Sequence, residues 1–252
     1  MLKSLLAAIL LLVTPVVIAT DLAETLASTS EERFAGDDRD KRYIVHGSST
    51  TGKTPKKGFG LLVVLPGGGG GADFRNFVEN IGKNSTGPDW LTVQLVSKMW
   101  TPEQKIIWPT ETNRVKKQRF TTEQFIDQVI ADVARKNKID RHRVVLLGWS
   151  SSGPALYAHA LRKKSVVSRY LVAMSVFRPK YLPPIQLARG KSFFLYHSRE
   201  DQVCPFADAE RAGKDLRAAG ARLEILEYEG GHGWRGNVYG NIKKGIDWLT
   251  SK

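Results

Sequence analysis

Arg143-Val-Val-Leu-Leu-Gly-Trp-Ser-Ser-Ser-Gly-Pro-Ala-Leu-Tyr-Ala-His-Ala-Leu161 decides how the chain is read. Val144 to Leu147 form an uninterrupted apolar run rich in aliphatic side chains, as expected of a strand buried on both faces. From Pro154 the residues change to helix formers, and proline suits a first helical turn. A strand that turns at once into a helix, with small residues around a serine, lifts that hydroxyl above the sheet edge. The helix start then offers backbone N–H groups to any negative charge that develops there. Three consecutive serines leave a question of register. Ser150 is favoured, because Gly148 then lies two positions before it. With Ser151 the bulky Trp149 would occupy that cramped position. The common pattern is Gly-x-Ser-x-Gly, and here Ser152 replaces the second glycine.

Outward from this stretch, apolar strands and amphipathic helices alternate. Leu61-Leu-Val-Val-Leu65 reads as a buried strand running into Pro66 and five glycines, Gly67 to Gly71. Such a loop costs conformational entropy and makes sense where backbone must approach a ligand closely. In an acyl-transfer site one oxyanion donor comes from here, with Gly68 N–H the first choice and Gly69 the second. The other is the N–H of Ser151, next to the nucleophile. Trp90 to Val96 reads as a strand. Thr121 and Gln124 form a capping box for a helix that ends near Asn137. Tyr170 to Val176, Ser192 to Tyr196 and Arg222 to Tyr228 are the later strands, with helices at 207–219 and 238–249. This alternation predicts an α/β fold, a mainly parallel sheet with helices on both faces and no large lid domain. In such sheets chemistry collects at the carboxyl ends of the strands. Those ends carry, in order, the glycine loop, Ser150, Asp201 and His232.

The ends of the chain are different. Lys3, an apolar run from Leu5 to Ile18 and the small residue Ala19 describe a secretory signal peptide over 1–19, hence a secreted or periplasmic protein. Residues 20–42 are polar with charges of alternating sign, the pattern of a solvated tail or linker, with partial order against the domain left open. The domain proper is expected over 43–252. The chain of 252 residues has a formal net charge of +13. From Tyr43 onward 33 Lys and Arg stand against 18 Asp and Glu. A surface so basic is compatible with electrostatic association with anionic surfaces. No basic helix interleaved with aromatics argues for nucleic acid. Gly47 to Thr54 fits the phosphate-loop pattern, but Pro55 and a further strand follow where a helix would be required. A nucleotide site is therefore not expected. Cys204 is the single cysteine, so no internal disulfide forms. Trp100, Trp108, Trp149, Phe177 and Trp234 can line a substrate cleft or belong to the core.

The order serine, aspartate, histidine and four motifs resemble the α/β-hydrolase superfamily over roughly residues 43–250. The motifs are Leu65-Pro-Gly-Gly-Gly, Gly148-Trp-Ser-Ser-Ser-Gly-Pro, His197-Ser-Arg-Glu-Asp-Gln-Val-Cys-Pro and Tyr228-Glu-Gly-Gly-His-Gly-Trp. The similar members are small serine esterases: phospholipase/carboxylesterases, dienelactone hydrolase-like proteins and polyhydroxybutyrate depolymerase-like esterases. Pro66, where His is common, and Ser152 depart from the pattern. Dienelactone hydrolases proper use a cysteine nucleophile, which this elbow does not offer. The resemblance implies a Ser150–His232–Asp201 triad that cleaves a small or polymer-linked ester without metal or organic cofactor. Two alternatives stand beside it: a peptidase or amidase on the same scaffold, and a non-catalytic envelope or carbohydrate binder.

Overall fold

The computed structural model describes residues 30–46 and 54–251. The signal-peptide segment and nearly all of the phosphate-loop-like stretch lie outside them. Among the described residues eight strands form one sheet: β1 Glu31–Phe34, β2 Arg42–His46, β3 Phe59–Leu65, β4 Trp90–Leu95, β5 Ile139–Trp149, β6 Arg169–Ala173, β7 Ser192–Ser198 and β8 Arg222–Tyr228. Their order is β1-β2-β4-β3-β5-β6-β7-β8. The pairs β1–β2 and β2–β4 are antiparallel, and every later pair is parallel.

The apolar runs of the central strands divide between two cores because successive side chains point to opposite faces. Leu61, Val63, Leu65, Val144 and Leu146 join one cluster, together with Phe125 and Val129 of helix α2 (Thr122–Lys136) and Leu216 of helix α4 (Phe206–Ala218). Leu62, Val64, Val145 and Leu147 join the other, with Ile81 of helix α1 (Arg75–Ser85) and Ile246 of helix α5 (Val238–Thr250). A strand apolar at every position is thus satisfied only between two helical layers. The capping box at Thr121 and Gln124 is formed, and α2 ends at Asn137.

Two expectations change. Residues 30–42 are not a solvated tail. Glu31–Phe34 pairs with Arg42–His46 as the sheet's outermost hairpin, with Ala35 and Tyr43 fully buried. The alternating charges find partners within the hairpin and on the loop after β4: Arg42 meets Glu32 at 2.6 Å, Lys98 meets Asp40 at 2.7 Å, and Arg119 bonds Asp40. Beside them the Tyr43 hydroxyl donates to Asp132 of α2. Strand β6 also stops at Ala173, short of Val176. Met174 adopts φ of 38°, which breaks the extended run and turns Ser175 toward the end of β5.

Candidate active site

The turn after β5 is built by its three serines, each with a different partner. Ser150 takes φ of 54°, a left-handed conformation that costs a side-chain-bearing residue roughly 1–2 kcal/mol. That turn aims its hydroxyl out of the sheet. Ser151 Oγ donates to Gly68 O at 2.8 Å, which ties the turn to the glycine loop. Ser152, fully buried, accepts from Trp149 N–H at 2.8 Å and donates to Leu65 O at 2.7 Å. The residue that departs from the glycine pattern therefore joins the ends of β3 and β5. It also explains Gly148, where a Cβ would fall 2.7 Å from Ser152 Oγ and 2.8 Å from Leu156 Cδ1. Below the turn, Ser175 Oγ donates to the carbonyl of Ser150 at 2.6 Å. The short helix α3, Gly153–Ala160, starts immediately. Ser152→Ala strands the Trp149 N–H and the Leu65 carbonyl in the core. A loss of about 1–3 kcal/mol in urea unfolding is expected, and a loss below about 0.5 kcal/mol would mean these groups find other partners.

Asp201 sits in the loop after β7 and is buried. Its Oδ1 accepts from the N–H groups of Val203 and Cys204, both at 2.8 Å. Its Oδ2 accepts from His232 Nδ1 at 2.8 Å and lies 3.3 Å from His197 Nε2. Burial opposes ionisation, but the Cys204 N–H, His232 and the Val203 N–H together outweigh it and hold this carboxyl below its usual range. His197 donates through Nε2 to the Cys204 carbonyl at 2.7 Å and so braces the loop.

His232 lies in the loop after β8, between glycines that all take left-handed φ: 104° at Gly230, 76° at Gly231 and 123° at Gly233. Only glycine adopts such a run at low cost. The loop is clasped to the aspartate loop by Gly230 N–H on Glu200 Oε2 at 2.9 Å and Gly231 N–H on Ser198 Oγ at 3.2 Å. The Tyr228 hydroxyl donates to Gly231 O at 2.9 Å. His232 Nε2 stands 3.1 Å from Ser150 Oγ. A carboxylate only accepts, so Nδ1 carries the imidazole proton and the neutral ring's Nε2 is free to accept from the serine. Serine, histidine and aspartate thus form one continuous hydrogen-bonded line.

The aromatic candidates separate. Trp108 and Phe177 are core residues, and so is Trp149, the second of the two readings open to them. Trp108 Nε1–H donates to Pro66 O at 2.9 Å and holds the start of the glycine loop. Phe177 packs edge-on against Tyr157. Trp149 lies among Phe74, Phe77 and Trp234, with ring centroids 5.3–5.7 Å away. The strand ends need an apolar floor, and these large rings supply it. Trp100 is half-buried against Phe120, and Trp234 half-buried against Tyr196. Ser175, Ser198, Glu200 and Tyr228 buttress the site; the last three stand inside the quoted motifs, but no local pattern gives any of the four its role, because their partners are distant in the chain or are backbone groups.

No family model matches the chain, and neither does any curated protein. Solved structures do. A carboxylesterase from Bacillus cereus superposes with a TM-score of 0.60 at 15% identity, covering 82% of this chain and 92% of that one. The protein YahD with malic acid gives 0.58 at 18% identity, covering 82% and 98%. A thermophilic esterase from the planctomycete Thermogutta terrifontis, with propionate bound, gives 0.63 at 15% identity, covering 87% and 92%. The same Thermogutta esterase has been solved phosphonylated by sarin. At such identities the likeness is one of fold, and the fold of this chain is that of the α/β-hydrolases.

Proposed function

We propose that the chain is an exported serine hydrolase that cleaves carboxylic esters through an acyl-enzyme intermediate. The observation that carries this reading is the unbroken line from Ser150 Oγ through His232 to Asp201. A free hydroxyl is a weak nucleophile at neutral pH. His232 Nε2 takes the Ser150 proton as Oγ attacks the ester carbonyl. Asp201 keeps the ring in the accepting tautomer and stabilises the imidazolium that forms. The N–H groups of Gly68 and Ser151 hold the oxyanion, each contributing about 10²–10³ in rate. The imidazolium then protonates the departing alcohol, and a water activated by the same ring releases the acid. Export rests on the sequence of residues 1–19, and the basic surface favours work near anionic polymers or envelopes. Esterases of like fold support the choice of ester as substrate.

A panel of chromogenic esters of graded acyl length, with acetylated and feruloylated sugars included, tests the reading. Hydrolysis of at least one, together with fluorophosphonate labelling of Ser150, is expected. Cleavage of aminoacyl amides in preference to every ester would make the chain a peptidase. Neither turnover nor label would leave a binding protein.

A further inference from the structure

Beside Ser150 stand three side chains of the kind that hold a borderline-soft divalent metal. A carboxylate oxygen of Asp201, the thiol of Cys204 and a ring nitrogen of His232 all lie within 4.8 Å of one another. Asp201 and Cys204 are buried and His232 is half-buried, so the cluster is shielded yet reachable from the side of the imidazole. Ester cleavage as described above has no step for the thiol. It is therefore a ligand available for other chemistry.

We propose that Asp201, Cys204 and His232 form an inhibitory zinc site superposed on the hydrolytic machinery. This inference rests on the catalytic reading above. Mixed thiolate, imidazole and carboxylate ligands suit Zn²⁺, whereas Mg²⁺ and Ca²⁺ require oxygen-rich shells. Ligand atoms around tetrahedral zinc sit roughly 3–4 Å apart, given bond lengths of about 2.0–2.3 Å. Rotation of the Cys204 side chain and a small shift of the imidazole close the present spacing. Asp201 Oδ1 keeps its two backbone donors throughout, so the loop need not open. A fourth position remains for water.

Binding disables the base at either ring nitrogen. A metal on Nε2 occupies the lone pair that would accept the Ser150 proton. A metal on Nδ1 displaces the proton there, which moves to Nε2 and blocks the same lone pair. The thiol proton leaves to solvent as the zinc–sulfur bond forms, and no electron is transferred. Inhibition is therefore expected to be reversible by a chelator.

The full chain is titrated with ZnCl₂ in a non-chelating buffer, with ester hydrolysis as one readout. Direct binding of Co²⁺, followed by its thiolate charge-transfer absorption, is the other. Zinc is expected to inhibit reversibly while Mg²⁺ does not, and Co²⁺ to give the thiolate band. Cys204→Ala and the near-isosteric Cys204→Ser, each normalised to its own uninhibited rate, are expected to need at least ~100-fold more zinc and to lose the band. Ser150→Ala is expected to keep it. Unchanged zinc sensitivity in both cysteine variants, or no thiolate band in the parent chain, overturns the proposal. A band without ester hydrolysis would remove the esterase reading and leave the metal site standing. Hydrolysis without a band would do the reverse.

Discussion

Ser150→Ala is expected to lower turnover by about 10⁴–10⁶-fold with little change in stability. The hydroxyl is the only group at the turn that both faces His232 and stands at the apex of the strained backbone. Removing it leaves the base and the oxyanion donors in place, so some acceleration over water persists through those donors. The backbone is held independently: Ser175 grips the Ser150 carbonyl and Ser152 ties the neighbouring N–H to β3. Alanine accepts left-handed φ no better and no worse than serine in any way that matters here. The thermal midpoint is thus expected to move by only a few degrees. Ser151→Ala loses one half-exposed hydrogen bond to Gly68 and is expected to keep turnover within about tenfold, since it leaves the backbone donor intact. Steady-state kinetics on one chromogenic ester decide between them. A dead Ser151→Ala with an active Ser150→Ala would move the nucleophile by one residue.

Asp201→Asn is expected to cost about 10⁴ in kcat, without loss of the fold. The Oδ1 side faces two N–H donors, from Val203 and Cys204. The asparagine oxygen must therefore take that side, and its NH₂ is left facing His232 Nδ1. An amide that donates there forces Nδ1 to accept, so the imidazole proton moves to Nε2. The ring then points a proton at Ser150 instead of a lone pair. The geometry survives and the tautomer is wrong. Imidazole proton and nitrogen resonances in the parent chain and the variant check this directly. Retention of the Nδ1–H form together with full activity would show that Asp201 does not set the tautomer.

Much of the site is legible in the sequence because it is made of local signals. Gly148 to Gly153 announces a tight turn, and the glycines after Leu65 announce a loop whose backbone comes close to its neighbours, as it does to Trp108 and Ser151. Asp201 and His232 each follow a strand of recognisable length. The edge hairpin is not legible. Its charges read as solvation, but they pair across the hairpin, Arg42 with Glu32 and Lys41 with Asp38, and with Lys98 and Arg119, which are remote in the chain. The aromatic residues stay open between two readings for a similar reason. A tryptophan after a strand has the same local signature whether it faces a cleft or floors it, and Trp108 and Trp149 take the floor. The role of Ser152 is hidden because a small residue suffices for the turn, while its hydroxyl answers to a carbonyl 87 positions away.

A sheet that does not close on itself keeps two rims of backbone able to template another strand. Here one rim is β1, with Glu31 and Glu32 exposed, and the other is β8, with Arg222 and Glu227 exposed and Glu224 between them. A second molecule approaching rim to rim would have to strip water from these ionised groups before any ladder could form. Stacking of one open sheet on another through these rims is thus opposed by the same charges that disguise its first strand.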